Sequence, residues 1–185
     1  PNAGGGVLAK LIAAVPAADL AEMHEPPDFV GYNIYNGWQV RLGADGKPGY
    51  VPRGSGYPRT AVKWPVTPDV LDWGVRYLYE RYPLPTMISE NGLSCNDKVY
   101  LDGAVHDADR IDFLHRYLLA LGHAVDAGVD LRGYFHWSLT DNYEWDQGYN
   151  ERFGLIFVDY ATQQRLVKDS GRWFAEVANT NGANL

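Results

Sequence analysis

The feature that most constrains the fold is an alternation of strand-like and helical segments along the chain of 185 residues. Runs rich in aromatic and β-branched residues occupy 29–35, 86–90 and 131–139, and helical patterns precede, separate and follow them. Alternation at this spacing indicates parallel strands joined by crossover helices. We therefore predict an α/β fold, and we find no linker that would divide the chain into two domains.

The helical segments carry recognisable boundaries. Val15-Pro16 separates two short helices at 8–14 and 18–23, since proline disfavours helix in the residue before it. Thr67 is a candidate N-cap for a helix at 67–82 with an apolar face at 70, 71, 74, 77 and 78. The clearest helix, 107–128, closes at Gly128, and its apolar stripe consists of Ile111, Leu114, Tyr117, Leu118, Leu121 and Val125.

The remaining segments connect or close these elements. Glycines and prolines punctuate 43–60, which predicts a long loop with a hairpin around 44–49. A loop of this length in a compact domain tends to be functional or mobile. Residues 153–160 are predicted to form one arm of a short strand pair, and a helix over 165–180 closes the chain.

Charge and cysteine usage exclude several classes of partner. The net charge of −7 serves solubility and argues against a nucleic acid or an anionic membrane as partner. No apolar run reaches the length of a membrane-spanning helix. The single cysteine, Cys95, excludes an intrachain disulfide and favours a reducing, cytoplasmic compartment; it is either a packing residue or a free thiol near a site. Because the chain starts at Pro1 and not at methionine, we expect its start to be internal to a longer gene product.

Each predicted strand ends in polar or aromatic residues that do not suit a core. The first strand ends in Asn33 and Tyr35, the second ends in Glu90, and the third runs into the acidic, tryptophan-bearing segment 137–145. The carboxyl ends of parallel strands face one crevice, where sites form. We therefore expect these side chains to converge.

The residues at these strand ends allow two interpretations. Glu90 is either an exposed residue before a turn or a nucleophile that attacks the anomeric carbon of a sugar. A nucleophilic carboxylate must stay ionised, and Tyr35 is a candidate hydrogen-bond donor to it. Trp137 and Trp145 either pack together in the core or present flat apolar faces on which a sugar ring stacks. In the second case Glu144 accepts hydrogen bonds from the sugar's hydroxyls.

Neither a metal site nor a bound cofactor is predicted. His115 and His123 share a helix face, but no third ligand has matching spacing. The chain also has no glycine-rich loop of the kind that cradles phosphates.

Three motifs together resemble those of glycoside hydrolase family 1, the β-glucosidase family: "DFVGYNIYN", "MISENG" and "GYFHWSLTDNYEWDQGYNERFGLIFVDY". The resemblance implies a (β/α)8 TIM barrel, of which this chain covers roughly strands 6–8 and their helices. Residues 1–185 would then be the C-terminal part of a single barrel domain. The resemblance also implies a retaining β-glycosidase that needs no cofactor and works through a covalent glycosyl-enzyme.

The resemblance assigns roles residue by residue. Glu90 matches the family's nucleophile, and Tyr35 matches the tyrosine that hydrogen-bonds to it. The residues that match sugar-binding positions are Asn33, Trp137, Glu144 and Trp145. Relatives that act on 6-phosphosugars have serine in place of Glu144, and lysine and tyrosine in place of Glu151 and Phe153. A carboxylate there would repel phosphate, so the implied substrate is an unphosphorylated β-D-glucoside or oligosaccharide, with β-D-fucosides and β-D-galactosides as further candidates.

One expected motif is absent from the sequence. The family's acid/base glutamate lies in a Thr-(Phe/Leu)-Asn-Glu-Pro motif, and no Asn-Glu-Pro occurs in this chain. We therefore expect the isolated chain not to hydrolyse β-glucosides efficiently. We also expect its open strand edges to be covered by the missing N-terminal portion of the barrel or within a homo-oligomer. Two alternatives stay open: a non-catalytic sugar-binding relative, and a transglycosylase on the same scaffold.

Overall fold

A computed structural model describes residues 3–185, and Pro1, on which the expectation of an internal start depends, lies outside the described residues. The helices are α1 (Ala3–Ala13), α2 (Ala17–Met23), α3 (Val75–Arg81), α4 (Ala108–Asp126) and α5 (Asp169–Asn179). The strands are β1 (Val30–Asn33), β2 (Val40–Leu42), β3 (Pro48–Tyr50), β4 (Thr86–Asn91), β5 (Leu131–His136), β6 (Ile156–Val158) and β7 (Arg165–Val167). A π-helical turn at Val70–Gly74 leads into α3, and a 3-10 turn spans Trp145–Gln147.

Three strands form a parallel sheet in the order β1-β4-β5. Helix α3 lies between β1 and β4 in the chain, and α4 lies between β4 and β5, so the predicted parallel strands with helical crossovers are confirmed. Strand β5 ends at His136, three residues before the predicted boundary at 139. The chain leaves the sheet there because the backbone N–H of Ser138 bonds to the carbonyl of Phe153. Among the described residues, β1 and β5 each pair with β4 alone, so both outer edges of this sheet are open.

Two antiparallel hairpins complete the strands. The predicted hairpin around 44–49 is present as β2 and β3, with Gly46 in the left-handed region at φ 72°. The predicted strand within 153–160 is β6, and its partner is β7. The prediction of a closing helix over 165–180 is wrong at its start, because β7 occupies Arg165–Val167 and the helix begins at Asp169.

The core lies between α4, the π-helical turn and the sheet. Leu114, Tyr117 and Leu121 on α4 are buried, and they belong to one cluster with Leu71 and Ile88. The predicted stripe is wrong at its end, since Val125 is 44% exposed and Ala124 faces the core in its place. Gly128 has φ 99° just after α4, which confirms it as the closing glycine.

The segment before α3 differs from its prediction in two ways. Thr67 does not cap the helix, because its hydroxyl accepts a hydrogen bond at 2.9 Å from the backbone N–H of Gly37 and ties the first strand's loop to this segment. The predicted apolar face is also rotated, since Val75 is buried whereas Tyr77 is 63% exposed. The π-helical turn explains this rotation, because it places more residues in a turn than an α-helix does.

No helix among residues 3–185 combines the length and the hydropathy needed to cross a membrane.

Candidate active site

The parallel strands bring their polar carboxyl ends to one edge of the sheet. Asn33 at the end of β1 lies opposite Glu90 in the register of β4. Asn91 lies opposite His136 at the end of β5, and the backbone N–H of Trp137 bonds to the Asn91 carbonyl at 2.8 Å. The predicted convergence of the three strand ends is therefore observed.

Glu90 and Tyr35 are linked directly across this edge. The Tyr35 hydroxyl donates a hydrogen bond of 2.7 Å to Oε2 of Glu90. Burial, followed by this hydrogen bond to Glu90, raises the pKa of Tyr35 well above its ordinary value, so the phenol stays protonated and remains a donor. The Trp64 ring packs edge-on against the Tyr35 ring at 5.2 Å between centroids, which restricts where the hydroxyl points.

The two residues after Glu90 hold the strands together. The Asn91 side chain is buried, donates to the Ile34 carbonyl at 2.8 Å and accepts from the Tyr134 hydroxyl at 2.7 Å. A Cβ on Gly92 would lie 2.0 Å from the carbonyl oxygen of Trp137, so only glycine allows the backbones to approach this closely. Asn91 and Gly92 therefore join the end of β4 to the residues at the ends of β1 and β5, and do more than form an exposed turn.

The segment 137–145 presents a second polar pair. The indole N–H of Trp137 donates to Oε2 of Glu144 at 3.0 Å. The buried carboxylate of Asp141 holds the segment between them by accepting from the backbone N–H of Gly154 at 3.0 Å. Trp145 has φ 45° and is 79% exposed, so its indole face is open. The tryptophans are therefore not a pair buried in the core.

These side chains share one cavity of about 470 Å³. All six predicted site residues line it: Asn33, Tyr35, Glu90, Trp137, Glu144 and Trp145. The cavity is further lined by residues that sequence reasoning did not assign to the site: Val62, Trp64, Asp146, Gln147 and Phe153. A reason to assign Phe153 to the site was present in the sequence, since its position matches a tyrosine of phosphosugar enzymes. Val62 and Trp64 lie in a segment without a periodic pattern, so no such reason existed for them.

The cavity carries only negative formal charge. Glu90, Glu144 and Asp146 line it, and no lysine, arginine or histidine from residues 3–185 does. Such a lining suits a neutral polyhydroxylated ligand, whose hydroxyls donate to carboxylates, and disfavours an anionic one. Within the same described range, no group of three or more histidine, cysteine, aspartate or glutamate side chains is arranged to hold a metal ion.

A second, larger groove lies on the other side of the segment 59–64. Its volume is about 810 Å³, and it is lined by side chains of both charges, including Lys63 and Asp109. Cys95 also lines it, and burial raises the pKa of this thiol to about 12. The thiol also packs against the core cluster, so the interpretation of Cys95 as a packing residue is confirmed.

Comparison with known proteins gives one consistent family. Residues 9–183 match the sequence model of glycosyl hydrolase family 1. The chain is 44% identical to Beta-glucosidase A of Thermotoga maritima over 167 residues, which are 89% of this chain and 37% of that protein. It is 41% identical to a bifunctional beta-D-glucosidase/beta-D-fucosidase of Bifidobacterium breve, over 84% of this chain and 38% of that protein.

Solved structures agree with the sequence comparison. The family 1 b-glucosidase from Thermotoga maritima in complex with isofagomine lactam matches with a TM-score of 0.79 at 44% identity, over 89% of this chain and 37% of that one. The complex of the same organism's beta-glucosidase with glucoimidazole matches with a TM-score of 0.81 at 42% identity, over 95% and 40%. The chain thus spans about two fifths of the length of these relatives, and its fold matches part of their (β/α)8 barrel.

Proposed function

Because the chain belongs to glycosyl hydrolase family 1, we propose that it is part of a retaining β-glycosidase that acts on terminal, unphosphorylated β-D-glucosides. The observation that carries the proposal is the Tyr35–Glu90 hydrogen bond of 2.7 Å inside the cavity that also holds the Trp137–Glu144 pair. The first pair supplies an oriented carboxylate, and the second supplies a ring face and hydrogen bonds for a sugar.

Glu90 is the nucleophile in this proposal. A carboxylate oxygen of Glu90 forms a bond to the anomeric carbon while the bond to the leaving oxygen breaks, and water later displaces the carboxylate to release the sugar. The protonated Tyr35 hydroxyl restricts the carboxylate to one orientation. Asn33, Trp137, Glu144 and Trp145 hold the sugar ring at the cavity wall.

The mechanism requires a second carboxyl group. Retention needs an acid at about 5–5.5 Å from the nucleophile, which protonates the leaving oxygen. The family resemblance assigns that acid to an Asn-Glu-Pro motif, which this sequence does not contain. We therefore propose that the acid comes from a part of the barrel outside these 185 residues.

The chain corresponds to the last three βα units of the barrel in this proposal. Three of the eight units of a barrel would make up close to the 37% of the relative's length that the chain covers. The open edges of β1 and β5 would pair with the remaining strands, since a closed barrel has no edges. We refer to this chain joined to those strands as the complete barrel.

The substrate class follows from the cavity's charge. Its three carboxylates, Glu90, Glu144 and Asp146, would repel a phosphate or a carboxylate on the sugar. The relative from Bifidobacterium breve is a β-D-fucosidase as well as a β-D-glucosidase, so β-D-fucosides are the next substrates to test, followed by β-D-galactosides.

The test compares aryl β-glucoside hydrolysis by the isolated chain and by the complete barrel. We expect turnover by the complete barrel and none above background by the isolated chain. In the complete barrel, Glu90→Gln should lower kcat by about 10⁴-fold or more, because it removes the attacking oxygen's charge. The matched control is Glu176→Gln on the exposed face of α5, which should leave kcat unchanged. Near-normal turnover by Glu90→Gln would contradict the assignment.

A further inference from the structure

The loop that follows the Glu90 strand and the loop that carries Glu144 reach the same buried ammonium group. Lys168 lies between β7 and α5, and its side chain is 0% exposed. Its Nζ donates to Oδ2 of Asp97 at 2.5 Å and to Oδ1 of Asp141 at 2.8 Å. Asp97 belongs to the loop that follows the Glu90 strand, whereas Asp141 belongs to the loop that carries Glu144.

These two carboxylates are part of a larger group of charges, buried except for the partly exposed Arg152, which we call the buried cluster. Its cations are Arg110, Arg152 and Lys168, and its anions are Asp97, Asp107 and Asp141. The three positive and three negative charges balance. Within residues 3–185, Lys168 is the only member whose ion pairs join the loop after Glu90 to the loop that carries Glu144.

Backbone hydrogen bonds tie the second loop to the Glu90 strand and its following loop at two places, on either side of Glu144. The N–H of Trp137 bonds to the carbonyl of Asn91, so Trp137 is held directly against the Glu90 strand. The N–H of Cys95 bonds to the carbonyl of Arg152 at 3.1 Å, and Glu144, seven residues after Trp137, lies between these two ties. Its carboxylate accepts a hydrogen bond from the Trp137 indole, and the ion pairs of Lys168 with Asp141 and Asp97 add a second side-chain tie between the two loops within this interval.

We propose that Lys168 is a positioning residue that fixes Glu144 at its working distance from Glu90. This inference rests on the proposed function, in which Glu144 holds the outer hydroxyls of the sugar and Glu90 attacks its anomeric carbon. Without the ammonium, the buried cluster keeps three carboxylates but only two cations, so the repulsion between Asp97 and Asp141 is less compensated and the two loops move apart. Glu144 then loses contact with the sugar's outer hydroxyls while Glu90 keeps its strand position and its Tyr35 partner.

The diagnostic quantity is discrimination between two substrates. An aryl β-xyloside lacks the hydroxymethyl group of the glucoside but has the same anomeric carbon and leaving group. A displaced Glu144 should lower the ratio of kcat/KM for glucoside over xyloside by about tenfold or more, which corresponds to the loss of one charged hydrogen bond. A general loss of stability lowers both values together and leaves the ratio unchanged.

The variants are made in the complete barrel. Asp97→Asn/Lys168→Met cuts the link and keeps positive and negative charges equal in number, so it is expected to fold where Lys168→Met alone does not. Lys168→Arg keeps the charge and should retain part of the discrimination. The matched control, Leu121→Ala, destabilises the core of α4 away from the cavity and should leave the ratio as in the parent protein.

A double-mutant cycle with Glu144→Ala decides whether Lys168 acts through Glu144. We expect the ratio to fall in each variant and to fall no further when the changes are combined. An unchanged ratio in Asp97→Asn/Lys168→Met, or fully additive effects in the cycle, would overturn the inference.

Glu90→Gln is assayed in parallel: if it still turns over substrate, the proposed function fails and this inference with it. If Glu90→Gln is inactive and the ratio is nonetheless unchanged in the link variant, only the role of Lys168 is wrong.

Discussion

The carboxylates of the candidate cavity and those of the buried cluster lie close together in sequence but have opposite surroundings. The cavity holds Glu90, Glu144 and Asp146, and no cation from the described residues lines it. The buried cluster holds as many cations as carboxylates, and its aspartate side chains are at most 2% exposed.

In the proposed function, carboxylates bind the substrate in the cavity and stabilise the fold in the buried cluster. A carboxylate away from water needs a counter-ion or several hydrogen-bond donors, because burying an unpaired charge costs on the order of several kcal/mol. The buried cluster supplies those partners from the protein. The cavity leaves its carboxylates short of partners among the described residues, and in the proposed function a sugar's hydroxyls complete their hydrogen bonding.

The largest expected contrast is in stability when one charge is removed from each region. Arg110→Met leaves the carboxylates of Asp97 and Asp107 buried with one cation fewer, and should lower the free energy of unfolding by about 3–5 kcal/mol. Glu144→Gln keeps an acceptor for the Trp137 indole and should change that free energy by less than about 1 kcal/mol. Urea unfolding of the complete barrel measures both.

Charge balance supplies the control for this contrast. Asp107→Asn/Arg110→Met removes one charge of each sign and should recover part of the stability that Arg110→Met loses. Equal destabilisation by Arg110→Met and Glu144→Gln would show that compensation does not distinguish the two regions.

A buried histidine between the two regions predicts a smaller, pH-dependent effect. His136 bonds to the Phe153 carbonyl through Nε2, and burial, followed by the charge of Arg110, lowers the pKa of His136 to about 3. The unfolded chain takes up this proton near pH 6.5 but the folded one does not, so stability is lost as pH falls from about 6.5 towards 3. At pH 4.5 the loss is about 2–3 kcal/mol relative to pH 7.5.

The control for this effect is a variant that cannot titrate. His136→Leu should flatten the pH dependence of the unfolding free energy in that window, whatever its effect at pH 7.5. If the parent protein and His136→Leu show the same slope between pH 6.5 and 4.5, the imidazole of His136 is not the group that titrates.

The parallel order of the strands and six cavity residues could be predicted from sequence, because both depend on local signals. Strands alternate with helices, and motif residues such as Glu90 and Trp137 stand at strand ends, which parallel topology brings together. Trp64 could not be predicted, since its segment has no periodic pattern and only the fold places it against Tyr35.

The buried cluster could not be predicted from the sequence for a different physical reason. Lys168 and Asp97 are 71 positions apart, and lysines or arginines beside helices are usually solvated. Helical periodicity places Arg110, but not the exposed Arg116, on the face of α4 that carries Leu114, yet it does not show which carboxylates meet that arginine. Side-chain burial depends on which elements meet, and sequence patterning gives the period of an element but not its neighbours.

The smallest expected effect on stability comes from His106, whose ion pairs are exposed to solvent. His106 contacts Asp169 at 2.6 Å and Asp102 at 2.8 Å, and the hydrogen bond to Asp169, followed by that to Asp102, raises the pKa of His106 above its ordinary value. Its stabilisation is therefore full below about pH 6.5 and is lost as pH rises through the raised pKa. His106→Ala should lower Tm at pH 5.5 by about 2 °C or less, and should not change it at pH 9.

An exposed pair that does not titrate in this range separates pairing from protonation. Arg116 and Asp112 contact at 2.7 Å on α4 with about 60% of each side chain exposed, and both stay charged from pH 5.5 to pH 9. Arg116→Ala should therefore lower Tm by a similar small amount at both pH values. A His106→Ala effect that persists at pH 9 would assign His106 a packing role. An effect as large as that of Arg110→Met would show that exposure does not weaken compensated pairs in this molecule.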